Sequence, residues 1–376
     1  MQNFYRTFFI FLAMSLLLLL ACPKAKAEVV PPTNQETAIS LEYVKGSAAS
    51  NLYVWNEQQG GYDTSNTSRW GLNYWVCTSD VSTEYGKCST VSESYSTYEP
   101  IALEFTEKRS GIKAVITFKG IRSANWIPGS GCGSEGDPKR MNIEAQNNCS
   151  GQMTSGTLLK LYAEASELNK IPVGGVWTAT LKIIESNGNE TERYNWTANI
   201  TLDVTDFGNQ QIYLPEFGSA APHVDLNLRP LPGTKGNHTV LSGTASLDMC
   251  LYDGYNANSS TFTLNAHDQT SFADGRESSM FSVYNQGQGD EGHRIDYHLE
   301  ILDPTTNAYS TMANMQDYVI RNIQQVPLRS VYLPGIPQPV VCVPSRLRFT
   351  TPEFAIASKQ AGTYTGVLKL FLTTQM

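Results

Sequence analysis

The last stretch of the chain, Ala361 to Leu372, has a near copy at Gly174 to Ile183, and the two align without gaps. The aligned pairs are Gly175 with Gly362, Trp177 with Tyr364, Thr178 with Thr365, Leu181 with Leu368, and Lys182 with Lys369. Self-similarity of this kind predicts one strand type that is used in two related domains. The repeat therefore favours a tandem fold in which each copy occupies the same position in its own domain.

The two copies are continued by different sequence. A polar turn at Ser186 to Asn189 comes after the first copy and leads to a β-rich run, Tyr194 to Val204, which predicts a hairpin partner. Only Thr373 to Met376 come after the second copy. If the two domains are related, we expect the C-terminal one to lack its closing strand and to expose unpaired backbone groups beside an open core. The alternative is a chance repeat in which the chain ends on an ordinary edge strand.

A peptide from another subunit is able to supply a missing strand, with its alternate side chains entering the groove. In the last strand, Leu368, Leu370 and Leu372 share one face, whereas Val367, Lys369 and Phe371 share the other. The run from Gln210 to Leu214 opens the second domain. The predicted donor-strand groove is formed by Ile212, Leu214, Leu368, Leu370 and Leu372.

The opening residues have the pattern of a secretory signal. Arg6 precedes an apolar run from Phe8 to Ala21, which is too short for a membrane span, and Ala25 to Ala27 form a small-x-small cleavage site. We expect residues 1–27 to be removed. A lipoprotein is the alternative, because Leu19 to Cys22 resembles a lipobox.

The charge of the chain limits its partners. Removal of the signal takes away Arg6, Lys24 and Lys26 but no acid, which leaves 24 basic and 35 acidic side chains and a formal charge of −11. Such a balance argues against nucleic acid and against an anionic membrane surface. We expect a product that is exported through the periplasm to the cell surface and that has no nucleic-acid partner.

Six cysteines remain after Cys22 is lost with the signal, and among the fifteen possible pairings sequence proximity favours two bonds in the first domain, which leaves a third bond across the second. The favoured pairs are Cys77 with Cys88, Cys132 with Cys149, and Cys250 with Cys342. No pair has zinc-site or CxxC spacing, so we expect structural disulfides formed in an oxidising compartment, without a metal or other cofactor.

The texture of the remaining sequence predicts an all-β fold. Short runs rich in Val, Ile, Thr, Tyr and Trp are separated by Gly, Asn, Ser and Pro, which is typical of β-sandwiches. The mature length fits two domains, and Asp206 to Gly208 lies between two β runs. We therefore predict domains at residues 28–206 and 207–376. The exception to the β pattern, Leu158 to Lys170, divides into a strand and one helical turn around Ser166 to Asn169.

Several stretches together resemble the tip-adhesin minor pilins of colonisation-factor (class 5) fimbriae, which the alternate chaperone–usher pathway assembles. These stretches are Leu103 to Ser110, Glu167 to Lys170, Gly174 to Trp177, Asp225 to Pro230 and Asp248 to Tyr255. The resemblance implies two immunoglobulin-like β-sandwich domains in tandem, an N-terminal adhesin domain and a C-terminal pilin domain that lacks its last strand. It also implies a major pilin, a periplasmic chaperone, an outer-membrane usher and a host-cell glycan receptor as partners.

The resemblance implies that arginines near the distal end of the adhesin domain bind the receptor. Arg69 resembles one of them, although its spacing to Cys77 is longer than in the family. The paired arginines of the family fall on Asn187 and Gly188, and Arg193 in the same hairpin is a candidate to replace them. A solvated surface charge is the alternative for both arginines.

The N-terminal residues also favour a tip position. An ordinary fibre subunit donates a strand from an alternating N-terminal extension, but Glu28 to Thr37 lacks such alternation. A subunit that accepts a strand and donates none is able to occupy only one end of a fibre.

Two other functions remain open. A glycan-active enzyme needs paired carboxylates or a catalytic motif, and the chain has neither GxSxG nor HExxH; we therefore expect no enzyme. A structural initiator of the pilus that binds no receptor is the second alternative.

Overall fold

A computed structural model describes residues 29–66, 69–94, 96–125, 139–143, 156–187, 191–217, 222–268 and 275–375. In this part of the chain, strands dominate and helix is limited to single turns. The N-terminal elements are β1 (Val29–Val30), β2 (Gln35–Val44), β3 (Leu52–Asp63), β4 (Tyr74–Cys77), β5 (Glu99–Glu107), β6 (Lys113–Asn125), β7 (Lys139–Arg140), β8 (Gly156–Ala163), α1 (Ala165–Leu168), β9 (Gly175–Ser186) and β10 (Arg193–Thr205). The expected division into a strand and one helical turn is confirmed by β8 and α1.

The C-terminal part begins after a 3₁₀ turn at Phe207–Asn209. Its strands are β11 (Gln211–Tyr213), β12 (Leu228–Pro230), β13 (Val240–Tyr252), β14 (Thr261–Asp268), β15 (Phe281–Asn285), β16 (Arg294–Asp303), β17 (Ala308–Met312), β18 (Asp317–Arg321), β19 (Arg329–Val331), β20 (Val340–Ala355), β21 (Tyr364–Thr365) and β22 (Leu368–Gln375). Within the described residues, no helix is long and apolar enough to cross a membrane.

The N-terminal sheet closes around a tryptophan-rich core. Its strand order is β1-β3-β8-β6-β5-β9-β10-β2, with β4 paired to β9 and β7 to β6. Trp196 of β10 contacts Trp55 of β3 at 5.3 Å and Trp75 of β4 at 5.4 Å between ring centroids. Because β3 and β10 lie near opposite ends of the strand order, these contacts show that the sheet folds over on itself.

Strand β10 completes this domain. It pairs antiparallel with β9 and, on its other side, parallel with β2 from Gln35 to Val44. Its alternate side chains are buried in the core, and these are Trp196, Ala198, Ile200, Leu202 and Val204. The hairpin predicted from the polar turn is therefore present, and its second strand, β10, lies between β9 and β2 in the sheet.

The C-terminal part has two facing sheets with a separate core between them. One sheet has the order β11-β13-β20-β16-β15-β21, with β12, β17 and β19 attached at its sides, and the other has the order β18-β14-β22. The core is formed by side chains such as Phe262, Phe281 and Leu347. The chain thus has the expected all-β class with two tandem domains.

The repeated stretch occupies equivalent positions in the two domains. Trp177 pairs with Glu107 of β5, and Tyr364 pairs with Asn285 of β15. A Cβ atom on Gly175 would lie 2.6 Å from Glu107 Cγ, and one on Gly362 would lie 2.5 Å from Asn285 Nδ2. In both copies, glycine is thus required because a neighbouring side chain packs directly on the backbone.

Two of the three favoured disulfides fall in the described residues. Cys77 is bonded to Cys88, and Cys250 is bonded to Cys342, with Cα–Cα distances of 5.3 Å and 5.6 Å. Cys132 and Cys149 lie outside the described residues, as do the signal and lipobox residues.

Candidate functional site

The last strand of the chain borders an open groove. On one side β22 pairs antiparallel with β14, from Leu368 opposite Asp268 to Gln375 opposite Thr261. On its other side β22 has no strand partner in the described part of the chain. Leu368, Leu370 and Leu372 are half-buried against the core of the C-terminal domain, and the residues between them are exposed. The alternation read from the sequence matches these faces.

The opposite wall of the groove comes from the start of the domain. Ile212 in β11 is half-buried and Leu214 is buried, and both pack on the same core as the three leucines. Gln210 Nε2 donates to Thr374 Oγ1 at 2.7 Å, which joins the two walls at the end nearest the N-terminal domain. The five predicted groove residues therefore border one core.

Sequence reasoning missed two residues of this wall, Val224 and Leu226. Both are half-buried against the core, whereas Asp225, which lies between them, and Asn227, which follows Leu226, are exposed. The whole run from Val224 to Pro230 alternates like a strand, but only Leu228–Pro230 is paired, with β13. The alternation of apolar and polar residues could have identified Val224 and Leu226 from the sequence. These two residues precede the paired part of the run, and no strand in the described residues pairs with them.

The N-terminal domain provides an internal template for the filled groove. Leu181 and Ile183 are the counterparts of Leu368 and Leu370, and both are fully buried because β10 pairs alongside them. In the C-terminal domain the same positions are only half-buried. The difference arises because, among the described residues, no strand pairs beside β22 as β10 pairs beside β9.

The first predicted receptor residue, Arg69, lies on a loop at the far end of the N-terminal domain. Its side chain is 52% exposed, with its guanidinium 4.5 Å from the centre of the Trp70 ring and 3.6 Å from Asp63 Oδ2. A hydrogen bond from the Ser65 hydroxyl lowers the pKa of Asp63, and the backbone N–H groups of Asn66 and Ser65 act in the same direction. Arg69 is thus stacked and held beside a carboxylate while remaining accessible.

The second predicted residue, Arg193, begins β10 and is exposed, with no hydrogen-bond or ion-pair partner among the described residues. Its neighbour Glu192 accepts from Trp70 Nε1 at 3.2 Å and from Tyr194 Oη at 3.4 Å. Since successive side chains of a strand point to opposite faces, Arg193 lies on the face opposite Tyr194. The structure places both arginines at one end of the domain but does not bring them together on one face.

The turn positions that align with the paired arginines of the family have a different role here. Asn187 Oδ1 accepts from the backbone N–H of Thr191 and of Glu192, so this side chain closes the hairpin. Gly188 lies outside the described residues.

A buried polar network supports the Arg69 loop. Arg122, which is 3% exposed, donates from Nε to Asn73 O at 2.6 Å and from Nη2 to Gly71 O at 3.0 Å. Asn73 Nδ2 donates to Gly60 O and to Glu185 Oε1, both at 2.8 Å. Sequence reasoning did not identify these residues, because burial of Arg122 and Glu185 depends on tertiary packing.

Comparison with known proteins gives matches along nearly the whole chain. Residues 24–207 match the family model for the first domain of CfaE, a CFA/I fimbrial subunit, and residues 210–376 match the model for its second domain. The corresponding CFA/I fimbrial protein of Escherichia coli is 34% identical over 79% of this chain and 79% of its own length. The chain belongs to the CfaE family of CFA/I fimbrial subunits.

Solved structures of the CfaE family have the same fold. CfaE, described as the adhesive subunit of CFA/I fimbria of enterotoxigenic Escherichia coli, matches with a TM-score of 0.79 and 30% identity, covering 92% of this chain and 94% of that chain. A structure described as a chaperone–tip adhesin complex of CFA/I fimbriae biogenesis matches with a TM-score of 0.66 and 29% identity, over 93% and 98%.

Proposed function

We propose that this protein is a fimbrial tip adhesin that accepts a donor strand from a major pilin and binds a glycan on host cells. The observation that carries the proposal is the unpaired edge of β22, whose half-buried leucines lie where β10 completes the N-terminal domain. A donated peptide with alternating apolar side chains would fill this groove as β10 fills its own. Membership of the CfaE family supports the same assignment.

The tip position is supported by how the N-terminal residues are held. Val29–Val30 pairs with Tyr62 and Asp63 of β3, and β2 pairs along its whole length with β10. These residues are committed to their own domain, so they do not form a free extension that donates a strand to another subunit. The protein is therefore an acceptor and occupies the end of the fibre.

Before assembly, the same exposed groove requires a partner during export. We assign this role to a periplasmic chaperone that hands the subunit to an outer-membrane usher. The related chaperone–tip adhesin complex supports the first step. The predicted secretory signal at residues 1–27 supports a route through the periplasm to the cell surface.

The receptor surface is assigned to the distal end of the N-terminal domain, with Arg69 as its centre and Arg193, at the same end but on the face of β10 opposite Tyr194, as a second contact. Arg69 is pre-positioned by Trp70 and Asp63 and remains half exposed, which suits recognition of an acidic or hydroxylated sugar group. We assign this surface a role in binding, in line with the relative that is described as an adhesive subunit, and we assign it no catalytic role.

Fusion of a donor peptide tests the groove. A pilin N-terminal peptide linked after Met376 is expected to convert an aggregating chain into a soluble monomer and to raise its melting temperature by at least about 10 °C, since several apolar side chains become buried. The control is the same peptide with its alternate apolar residues replaced by Ser. A parent chain that is already monomeric and melts at an unchanged temperature after fusion would contradict the proposal.

Binding of the fused chain to host cells and to a glycan array tests the receptor surface. Arg69→Ala is expected to reduce binding at least about tenfold, because a charge-assisted contact contributes about 1.5–3 kcal/mol. Lys160→Ala, on a different strand, is the control and should bind normally. Absence of any binding by the parent chain would instead favour the assembly-initiator role, and hydrolysis of a glycan would favour an enzyme.

A further inference from the structure

A cleft opens on the outer face of the N-terminal sheet where β5 and β9 separate. These strands pair only at Thr106 with Thr178 and at Glu107 with Trp177. Beyond this point, Glu104 N donates to Thr83 O and Lys182 N donates to Tyr85 O, each at 2.9 Å. The segment from Thr83 to Tyr85 therefore separates the two strands, and the cleft has a volume of about 390 Å³.

The segment that forms one end of the cleft is fixed in place. The Cys77–Cys88 disulfide closes the loop, and Lys87 N donates to Ala102 O at 2.8 Å. Gly86, at a φ of +102°, packs so closely that a Cβ atom would lie 2.5 Å from Leu181 Cδ1. The cleft is thus preformed, which is usual for small-molecule sites.

The floor of the cleft presents a row of hydroxyl and amide groups. Strand register aligns Lys113, Thr106, Thr178 and Thr201 across β6, β5, β9 and β10. In the next cross-strand pair on the same face of β9 and β10, Thr180 Oγ1 donates to Asn199 Oδ1 at 2.9 Å. The Nδ2 donors of Asn199 have no partner among the described residues, so they are available to a ligand.

Charged groups lie at the β6 end of this row, away from Asn199 in β10. Lys113 Nζ lies 2.7 Å from Glu104 Oε1, and the second oxygen of Glu104 accepts from no donor in the described chain. Glu84 and Tyr85 line the cleft beside them. The lining therefore combines carboxylate acceptors, ammonium and amide donors, and hydroxyls that serve as both. Its formal charge is −1, because it contains two carboxylates and one ammonium group.

We propose that this cleft binds a neutral saccharide unit of a host glycan, as a second carbohydrate site that is separate from the arginine surface. Each hydroxyl of a sugar is both a donor and an acceptor, which matches a lining of this mixed kind. The volume suits one or two sugar rings, since ligand pockets range from about 300 to 1,000 Å³. The negative balance disfavours sugars that carry a carboxylate.

The cleft is distinct from the Arg69 surface. Asn199 lies six residues after Arg193 on β10, so these two positions are about 20 Å apart at ~3.4 Å per residue. A ligand of one or two rings does not span this distance. The proposal therefore stands or falls independently of receptor binding at Arg69.

Saturation-transfer NMR on the full chain, with the fused donor peptide, tests the cleft with lactose, N-acetylglucosamine and methyl mannoside as neutral probes and 3′-sialyllactose as the acidic probe. At least one neutral probe is expected to receive saturation at concentrations up to about 10 mM, the weak end of the affinity scale. Asn199→Ala and Glu104→Gln should each weaken that binding at least about fivefold, since the first removes an amide donor and the second replaces a charged acceptor oxygen by a donor. The exposed change Glu36→Gln on β2 is the matched control.

Two results would overturn the proposal. One is the absence of saturation transfer to all three neutral sugars. The other is binding that Arg69→Ala abolishes while Asn199→Ala and Glu104→Gln leave it unchanged, because the sugar would then occupy the arginine surface. Equal melting temperatures for the parent and the variants verify that the cleft residues are not required for folding.

Discussion

Glu185 is the side chain whose environment departs most from that of an ordinary carboxylate. It is fully buried, and its oxygens accept from Asn73 Nδ2 at 2.8 Å and from Trp196 Nε1 at 3.1 Å. Burial raises the pKa of Glu185 to about 8, and these two hydrogen bonds only partly oppose it. Asn73 Oδ1 lacks a partner among the described residues, and an amide flip would let it accept from a protonated Glu185. The Arg69 loop thus rests on a carboxyl group that is mostly neutral at pH 7.

This raised pKa makes stability depend on pH. From about pH 4.5, the usual pKa of a glutamate, to about 8, the unfolded chain releases a proton that the folded chain keeps. The free energy of unfolding therefore falls by about 1.4 kcal/mol per pH unit from this group, and its stabilising effect is lost as pH rises. Glu185→Gln should remove this slope and should be more stable than the parent at pH 8.

Urea unfolding followed by tryptophan fluorescence at pH 5.5 and pH 8 measures the effect, because Trp75 and Trp196 lie beside Glu185. Glu104→Gln, which changes a carboxylate on the outer face, serves as the control and should retain the slope of the parent. Parallel pH profiles for the parent and Glu185→Gln would show that Glu185 is ionised throughout this range.

At the scale of elements, the most informative comparison is between β9 and β22. The repeated sequence forms β9 in the first domain and β21 with β22 in the second, and its first part pairs with an equivalent strand in each, β9 with β5 and β21 with β15. Strands β9 and β22 differ in what lies on the other side: β10 pairs beside β9, whereas no strand in the described residues pairs there with β22. Because a strand needs a neighbour on each side for full burial, the leucines of β22 remain half exposed while those of β9 are buried.

The two faces of β22 should respond differently to a charge. Leu370→Asp places a carboxylate in the groove and should cost at least about 3 kcal/mol of the stabilisation gained from a donated strand, since a buried charge lacks a partner. Lys369→Asp, on the exposed face, should be nearly neutral. The measurement is the rise in melting temperature on peptide fusion, together with incorporation of the chain into fimbriae. Equal effects of the two changes would mean that the assigned faces are wrong.

At the scale of the whole molecule, the two domains are joined by specific polar contacts. Tyr255 Oη donates to Asp203 Oδ1 at 2.5 Å, and Asn256 Nδ2 donates to Gly174 O at 2.8 Å. Arg109 Nη2 donates to Ile323 O at 3.2 Å. The core of the first domain continues into Cys250, Tyr252 and Cys342 of the second. The receptor surface and the groove therefore lie on one continuous body with a packed junction.

The Cys250–Cys342 disulfide at this junction should contribute more to stability than the Cys77–Cys88 disulfide, which closes the loop at one end of the cleft. Cys250–Cys342 closes a loop of 92 residues, whereas Cys77–Cys88 closes one of 11. Loop entropy then predicts stabilisation of ~4.5 kcal/mol for the first bond and ~3 kcal/mol for the second. Urea unfolding of the paired Cys→Ser variants, each with the fused donor peptide, measures the difference. A larger loss for the shorter loop would contradict this order.

Sequence alone determined the features that depend on local pattern. The all-β class, the repeated strand, the helical turn after β8 and the alternating faces of β22 all arise from periodicity and composition, which act over a few residues. Asn227, by contrast, takes a φ of +55°, and the alternation of its neighbours did not show that pairing with β13 begins only after it, at Leu228.

Tertiary structure decided the features that depend on contacts between segments far apart in the sequence. The alternation of Val224 and Leu226 did not reveal that they form the second wall of the groove, because that requires the start of the domain to lie beside its last strand. Arg69 and Arg193 were both candidates for one receptor surface, but Arg69 lies on the loop between β3 and β4, and the alternation of β10 puts Arg193 on the face opposite Tyr194. The burial of Glu185, at the position where the repeat has Leu372, depends on the tryptophans around it. Local sequence pattern specifies which residues form strands and turns. The desolvation of a side chain and the neighbours of a strand depend on segments far apart in sequence, so they are set only when those segments pack together.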